Sequence, residues 1–184
     1  MKAIVAYTAM VVALCSCRMT SSHGLISEEL AVSPNFTAGL ILSKDEATGQ
    51  WWQHDISKIS DAPPAYKFNE KQEDEYDVVF ALIDRDRYIA QITNREKKIF
   101  YNIYQIKDGE ATEVHYKESD MSACLSKKGI DNVYSDKVGD DNIKIIGSPA
   151  AKKFVAAIKE CASNGGYLMK NASYIEKRKY FDRN

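Results

Sequence analysis

Residues 77–116 read DVVFALIDRDRYIAQITNREKKIFYNIYQIKDGEATEVHY, and this stretch decides the fold. Val78, Val79, Phe80, Ala81, Leu82 and Ile83 form an unbroken apolar run, of the length and β-branching of a buried strand. Arg85-Asp86-Arg87 then reads as a turn. Residues 88–93 give a second strand, residues 94–98 a charged turn and residues 99–106 a third strand. Asp108-Gly109 is a strong hairpin signal, because such turns need positive φ. Residues 112–116 give a fourth strand. Four short strands joined by tight turns predict an antiparallel meander. The third strand is apolar on both faces: Ile99, Tyr101 and Ile103 point one way, Phe100, Tyr104 and Ile106 the other. Such a strand needs cover on both sides, and the flanking helices are expected to supply it.

Working outward toward the C-terminus, the period changes after Tyr116. Residues 119–128 predict a short helix, with Ser119 as its cap and Gly129 past its end. Residues 130–142 read as a polar loop, and residues 142–146 as one more strand. Ser148-Pro149 opens the best helix signal in the chain, running to about residue 162 and stopping at Asn164-Gly165-Gly166. Phe154, Val155 and Ile158 should face the sheet. Residues 167–170 could extend the sheet, and Ser173-x-x-Glu176 has the form of a capping box for a final helix.

Working outward toward the N-terminus, residues 57–72, with Pro63-Pro64, read as loop. Residues 36–43 and 51–56 read as a strand pair across a polar connection. The expected fold class is therefore α+β: an antiparallel β-meander of about five to seven strands, packed against C-terminal helices. The chain has 184 residues, 45% of them apolar and 28% charged, which suits one globular domain. Its formal charge of −1 gives no global footprint for nucleic acid, so no nucleic-acid partner is expected.

The first residues carry an address. Met1 and Lys2 form a short positive start, and residues 3–14 are uncharged and mostly apolar. As a helix they span about 18 Å, well short of a bilayer core of about 30 Å. That is the pattern of a signal peptide. Leu14-Cys15-Ser16-Cys17 resembles the lipobox of bacterial lipoproteins, with Leu three places before the Cys and a small residue just before it. Cys15 stands where Ala, Ser or Thr is more usual. The resemblance covers only about 17 residues at the N-terminus and does not reach the rest of the chain. It implies a signal peptide over residues 1–16, cleavage before Cys17, and palmitate-type acylation that ties Cys17 to a membrane. Arg18 is not the Asp of the family's inner-membrane retention signal, which favours the periplasmic face of the outer membrane. The alternative is an ordinary secreted protein, cut near residues 20–22. On the lipoprotein reading, residues 17–30 are an anchored tether and residues 31–184 a single α+β domain.

Removing Cys15 and Cys17 from the count leaves Cys124 and Cys161. Met121, Cys124 and Leu125 share one helix face, as do Phe154, Ile158 and Cys161. Both thiols point inward, as a staple between two helices requires, and export would supply the oxidising setting. The alternative is two separate buried thiols.

Common chemistries are not recognised. The sequence has no H-E-x-x-H, no cysteine–histidine cluster, no phosphate-binding glycine loop and no G-x-S-x-G elbow. Asp131, Asp136, Asp140 and Asp141 match no EF-hand spacing and read as a solvated loop. His54 and His115 fall on expected strands as spacers. No catalytic residue, metal or cofactor is expected. Two features could form an interaction surface. Trp51-Trp52 places adjacent indoles on opposite strand faces, with core packing as the alternative. Lys177, Arg178 and Lys179 form a basic group near the C-terminus, which could rest on an anionic surface or simply face solvent.

Three function classes follow. The first is a cell-envelope lipoprotein with a non-catalytic binding or assembly role and an envelope protein partner. The second is a module for a small or lipophilic ligand held between sheet and helices. The third is an envelope enzyme.

Overall fold

The computed structural model describes residues 19–34, 38–44, 51–70, 74–107, 110–136, 143–163, 167–168 and 174–176. Cys17, Asp140, Asp141, Lys177, Arg178 and Lys179 lie outside the described residues, as does the signal-peptide segment.

The strands in chain order are β1 (Met19–Ser21), β2 (Ala31–Val32), β3 (Ala38–Lys44), β4 (Trp51–Asp61), β5 (Pro64–Glu70) and β6 (Asp74–Asp84). They continue as β7 (Arg87–Thr93), β8 (Ile99–Lys107), β9 (Glu110–His115), β10 (Asn132–Tyr134), β11 (Ile143–Ile145), β12 (Tyr167–Leu168) and β13 (Tyr174–Glu176). Two α-helices, α1 (Glu118–Lys127) and α2 (Ala151–Ala162), interrupt them. The class is broadly α+β, but the sheet is larger than the five to seven strands expected. Its path runs β10-β11-β1-β8-β7-β6-β5-β4-β3-β13, ten strands, with β2, β9 and β12 attached beside it. It is also mixed, because β1 runs parallel to β11. A simple meander is thus corrected to a larger sheet in which the first strand is inserted between β8 and β11.

Several local expectations change for identifiable reasons. Residues 57–70 are not loop. Strand β4 continues through Asp61, and Asp61 pairs with Pro64 across a two-residue turn. Pro64 is tolerated because it is the first residue of its strand. Tyr66 then points inward and is fully buried. The stretch 130–142 contains β10, which forms by pairing with β11 rather than by any apolar pattern of its own. Where the final helix was expected to begin, residues 174–176 form β13, which pairs with β3 through Tyr174↔Leu42, Ile175↔Ile41 and Glu176↔Leu40, and the rest of that stretch lies outside the described residues. The caps also differ. Lys117 and Ala150 occupy the helix N-cap positions, and neither gives a side-chain cap. Pro149 disfavours helical backbone at Ser148, which therefore stays outside the helix.

The largest change is at the N-terminal end. The stretch 17–30, expected as a tether, is folded onto the domain from Met19 onward. Met19 pairs with Tyr101 on one side and Ile143 on the other, and is 1% exposed. Leu25 and Ile26 are also buried.

Two cores cover the two faces of the sheet. On one face, Ile83, Ile89, Tyr101, Ile103, Ile143 and Ile145 pack against Leu125 of α1 and Phe154 and Ile158 of α2. Phe154 meets the ring of Tyr101 edge-on, with centroids 5.3 Å apart. The C-terminal carbonyl of Ala162 accepts hydrogen bonds from Arg87 and Tyr116, which ties the end of α2 to the sheet.

On the other face, Ile56, Tyr66, Val78, Phe80, Ala90 and Ala111 form a second buried cluster, flanked by Tyr104 and Ile106. Here the expectation that helices cover both faces is corrected, because the sheet's own curl supplies the cover. Strand β13 is hydrogen-bonded to β3 and also lies beside β9. In a flat sheet β3 and β9 would stand about 29 Å apart at roughly 4.8 Å per strand.

Candidate functional site

Helices α1 and α2 place Cys124 and Cys161 on facing surfaces, and a disulfide joins them with Cα atoms 5.7 Å apart. Gly129 ends α1 at φ +70, the left-handed conformation that favours glycine at this position. The Lys153 amine donates to its carbonyl at 2.7 Å, which makes a second tie between the helices. Lys128 and Glu160 add an ion pair at the exposed rim.

The segment after β1 is held by two side chains of the sheet. Gln91 Oε1 accepts from the backbone amides of Leu25 at 2.7 Å and Ile26 at 3.0 Å. The Tyr101 hydroxyl accepts from Leu25 N and donates to the His23 carbonyl at 3.1 Å. Ser21 Oγ lies 2.9 Å from the same hydroxyl. Burial pushes the Tyr101 phenol up to about 12, with the hydrogen bonds from Ser21 and Leu25 opposing that shift, so it remains a neutral hydrogen-bonding group. Gly24 permits the close approach: a Cβ there would lie 3.0 Å from the Gln91 amide nitrogen.

A group of polar side chains lies on the face of β8 and β9 turned away from the helices. Asn102, Glu113 and His115 are all buried, and Tyr104 pairs with Glu113 across the two strands. Asn102 Nδ2 donates to the Tyr104 hydroxyl at 3.4 Å, and Glu113 Oε2 stands 3.9 Å from His115 Nε2. Burial, and then the Glu113 charge, raise the Tyr104 phenol. Burial lowers His115, with Glu118 opposing the shift. These groups can orient a polar group by hydrogen bonding. Asn102 Oδ1 and Thr20 Oγ1 have no hydrogen-bond partner among the described residues. Sequence reading missed Asn102, Tyr104 and Glu113, and took His115 for a spacer. An alternation of Glu113 and His115 around Val114 was the available signal.

The other expected residues divide plainly. Trp51 and Trp52 lie on β4, paired through the backbone with Lys44 and Ser43, but their side chains lie outside the described residues. No described group of three His, Cys, Asp or Glu could hold a metal ion. No described helix is long and apolar enough to cross a membrane. At the far edge of the sheet, Val133, Ile146 and Tyr134 are large exposed apolar residues that sequence reading did not single out.

No family model, curated protein or solved structure matches this chain.

Proposed function

We propose that this is an exported cell-envelope protein, anchored by acylation of Cys17, with a non-catalytic binding or assembly role. The observation that carries the reading is the Cys124–Cys161 disulfide. Such bonds persist in oxidising compartments and are rare in the cytosol. The Leu14-Cys15-Ser16-Cys17 motif supports the same compartment independently. Arg18 favours the periplasmic face of an outer membrane, with secretion as the alternative.

The test is affinity capture of the full chain and of a Cys17→Ser variant from envelope extracts. A stoichiometric protein partner recovered with the native chain supports an assembly role. Recovery of the native chain in the cytosol with both thiols open to alkylation contradicts it.

A second reading is a ligand-binding module. The space between sheet and helices is filled by Leu125, Phe154 and Ile158, all fully buried, so that location has no support. The buried polar groups of β8 and β9 favour the opposite face instead. Native mass spectrometry of freshly purified protein tests it: a retained small molecule supports the module, and a bare mass counts against it.

A further inference from the structure

We infer that the outer face of β10 and β11 is a docking surface for the phospholipid bilayer, on which the domain sits flush rather than hanging from a tether. The inference rests on the lipid-anchor reading of Cys17 and extends it to a surface of the folded domain.

Met19 is already hydrogen-bonded into the sheet, between Tyr101 of β8 and Ile143 of β11. Only Arg18 separates it from Cys17. Two peptide units span at most about 7–8 Å, so an acylated Cys17 holds the bilayer within that reach of the sheet. A tether of a dozen free residues would leave orientation open, and one residue does not.

The helix face is closed to this approach by α1 and α2. The opposite face of β10 and β11 is open. Val133 pairs with Lys144, so their side chains share a face. Both are exposed, Val133 at 58%, and Ile146 beside them is exposed at 45%. Ile143 and Ile145 alternate with them toward the core. Strand β11 lies next to β1, and β10 about 10 Å from it at two strand spacings. Because β1 and β11 run parallel, Lys144 lies level with Thr20, so the Val133–Lys144 pair is the part of the patch nearest the anchor and Ile146 lies farther along, away from it.

Its chemistry suits a lipid surface. Two apolar side chains can enter the headgroup boundary, and Lys144 can reach a phosphate while its stem stays apolar. Asp131 and Asp136 flank β10, so apolar contact leads and charge follows.

The experiment uses the lipidated full chain in phosphatidylethanolamine–phosphatidylglycerol vesicles. The rate at which a membrane-impermeant acylating reagent modifies Lys144 is read by mass spectrometry. The reference is Cys17→Ser protein mixed with the same vesicles. Labelled palmitate is followed in parallel. Lys144 should react roughly tenfold more slowly in the lipidated protein, because the one-residue link keeps the surface at high effective concentration. A flexible insert of about twelve Gly and Ser residues after Arg18 should restore reactivity without removing the label. Val133→Asp with Ile146→Asp should do the same, both being exposed sites that leave the core intact. Palmitate present with Lys144 equally reactive in both proteins overturns this inference and leaves the anchor standing. Absence of palmitate removes the anchor and the inference together. Protection that follows protein concentration instead of lipid assigns the face to a second copy and overturns the bilayer.

Discussion

The hydroxyl of Tyr101 accepts the backbone proton of Leu25 across 3.0 Å, joining residues 76 apart in sequence. That contact, with Gln91 beside it, fixes the first described residues onto the middle of the sheet. Tyr101→Phe keeps the ring against Phe154 and removes only the oxygen. It should cost about 0.5–1.5 kcal/mol, the net range for a lost hydrogen bond, because Gln91 Oε1 still accepts from Leu25 N. A urea titration checks this, with a lower midpoint and an unchanged slope. Proteolysis near residues 22–26 should speed up with it.

The disulfide closes a separation of 37 residues. In the chain-entropy account, replacing both Cys124 and Cys161 by Ala lowers stability by roughly 4 kcal/mol. Thermal melts of the double variant and of native protein with and without reductant check the size. Native protein should lose stability on reduction, and the variant should not respond.

His115 predicts a pH dependence. Burial lowers its folded value below the ordinary 6.5, so the unfolded chain binds its proton first as pH falls. The contribution of the neutral ring is fully present above 6.5 and is lost as pH drops from there toward the lowered folded value. Denaturation midpoints measured at steps from pH 7.5 to pH 5 should fall. His115→Gln should flatten that fall.

Phe154 is a fully buried contact between α2 and the sheet. Phe154→Ala should cost about 3–5 kcal/mol, the range for a large aromatic truncated in a core. The measurement is again the denaturation midpoint, and a change under about 1 kcal/mol would show that the helix is not seated as described.

How legible this was in the sequence follows from the physics of each element. Strands β6 to β9 were readable because β-branched runs and tight turns are local signals. Helix α2 was readable from its apolar period. The facing positions of Cys124 and Cys161 followed from the same period, and the structure joins them. What failed was non-local. Strand β1 has three residues and no pattern, and exists because β8 and β11 offer two edges to it. Strands β10 and β13 likewise form only against β11 and β3. The group of Asn102, Tyr104, Glu113 and His115 was illegible because its members meet only once β8 and β9 pair.

The central claim concerns Cys17, and incorporation of labelled palmitate tests it most directly. The full chain should take up label and fractionate with membranes, and Cys17→Ser should take up none. Label that survives in Cys17→Ser, or a native chain that never acquires it, contradicts the account.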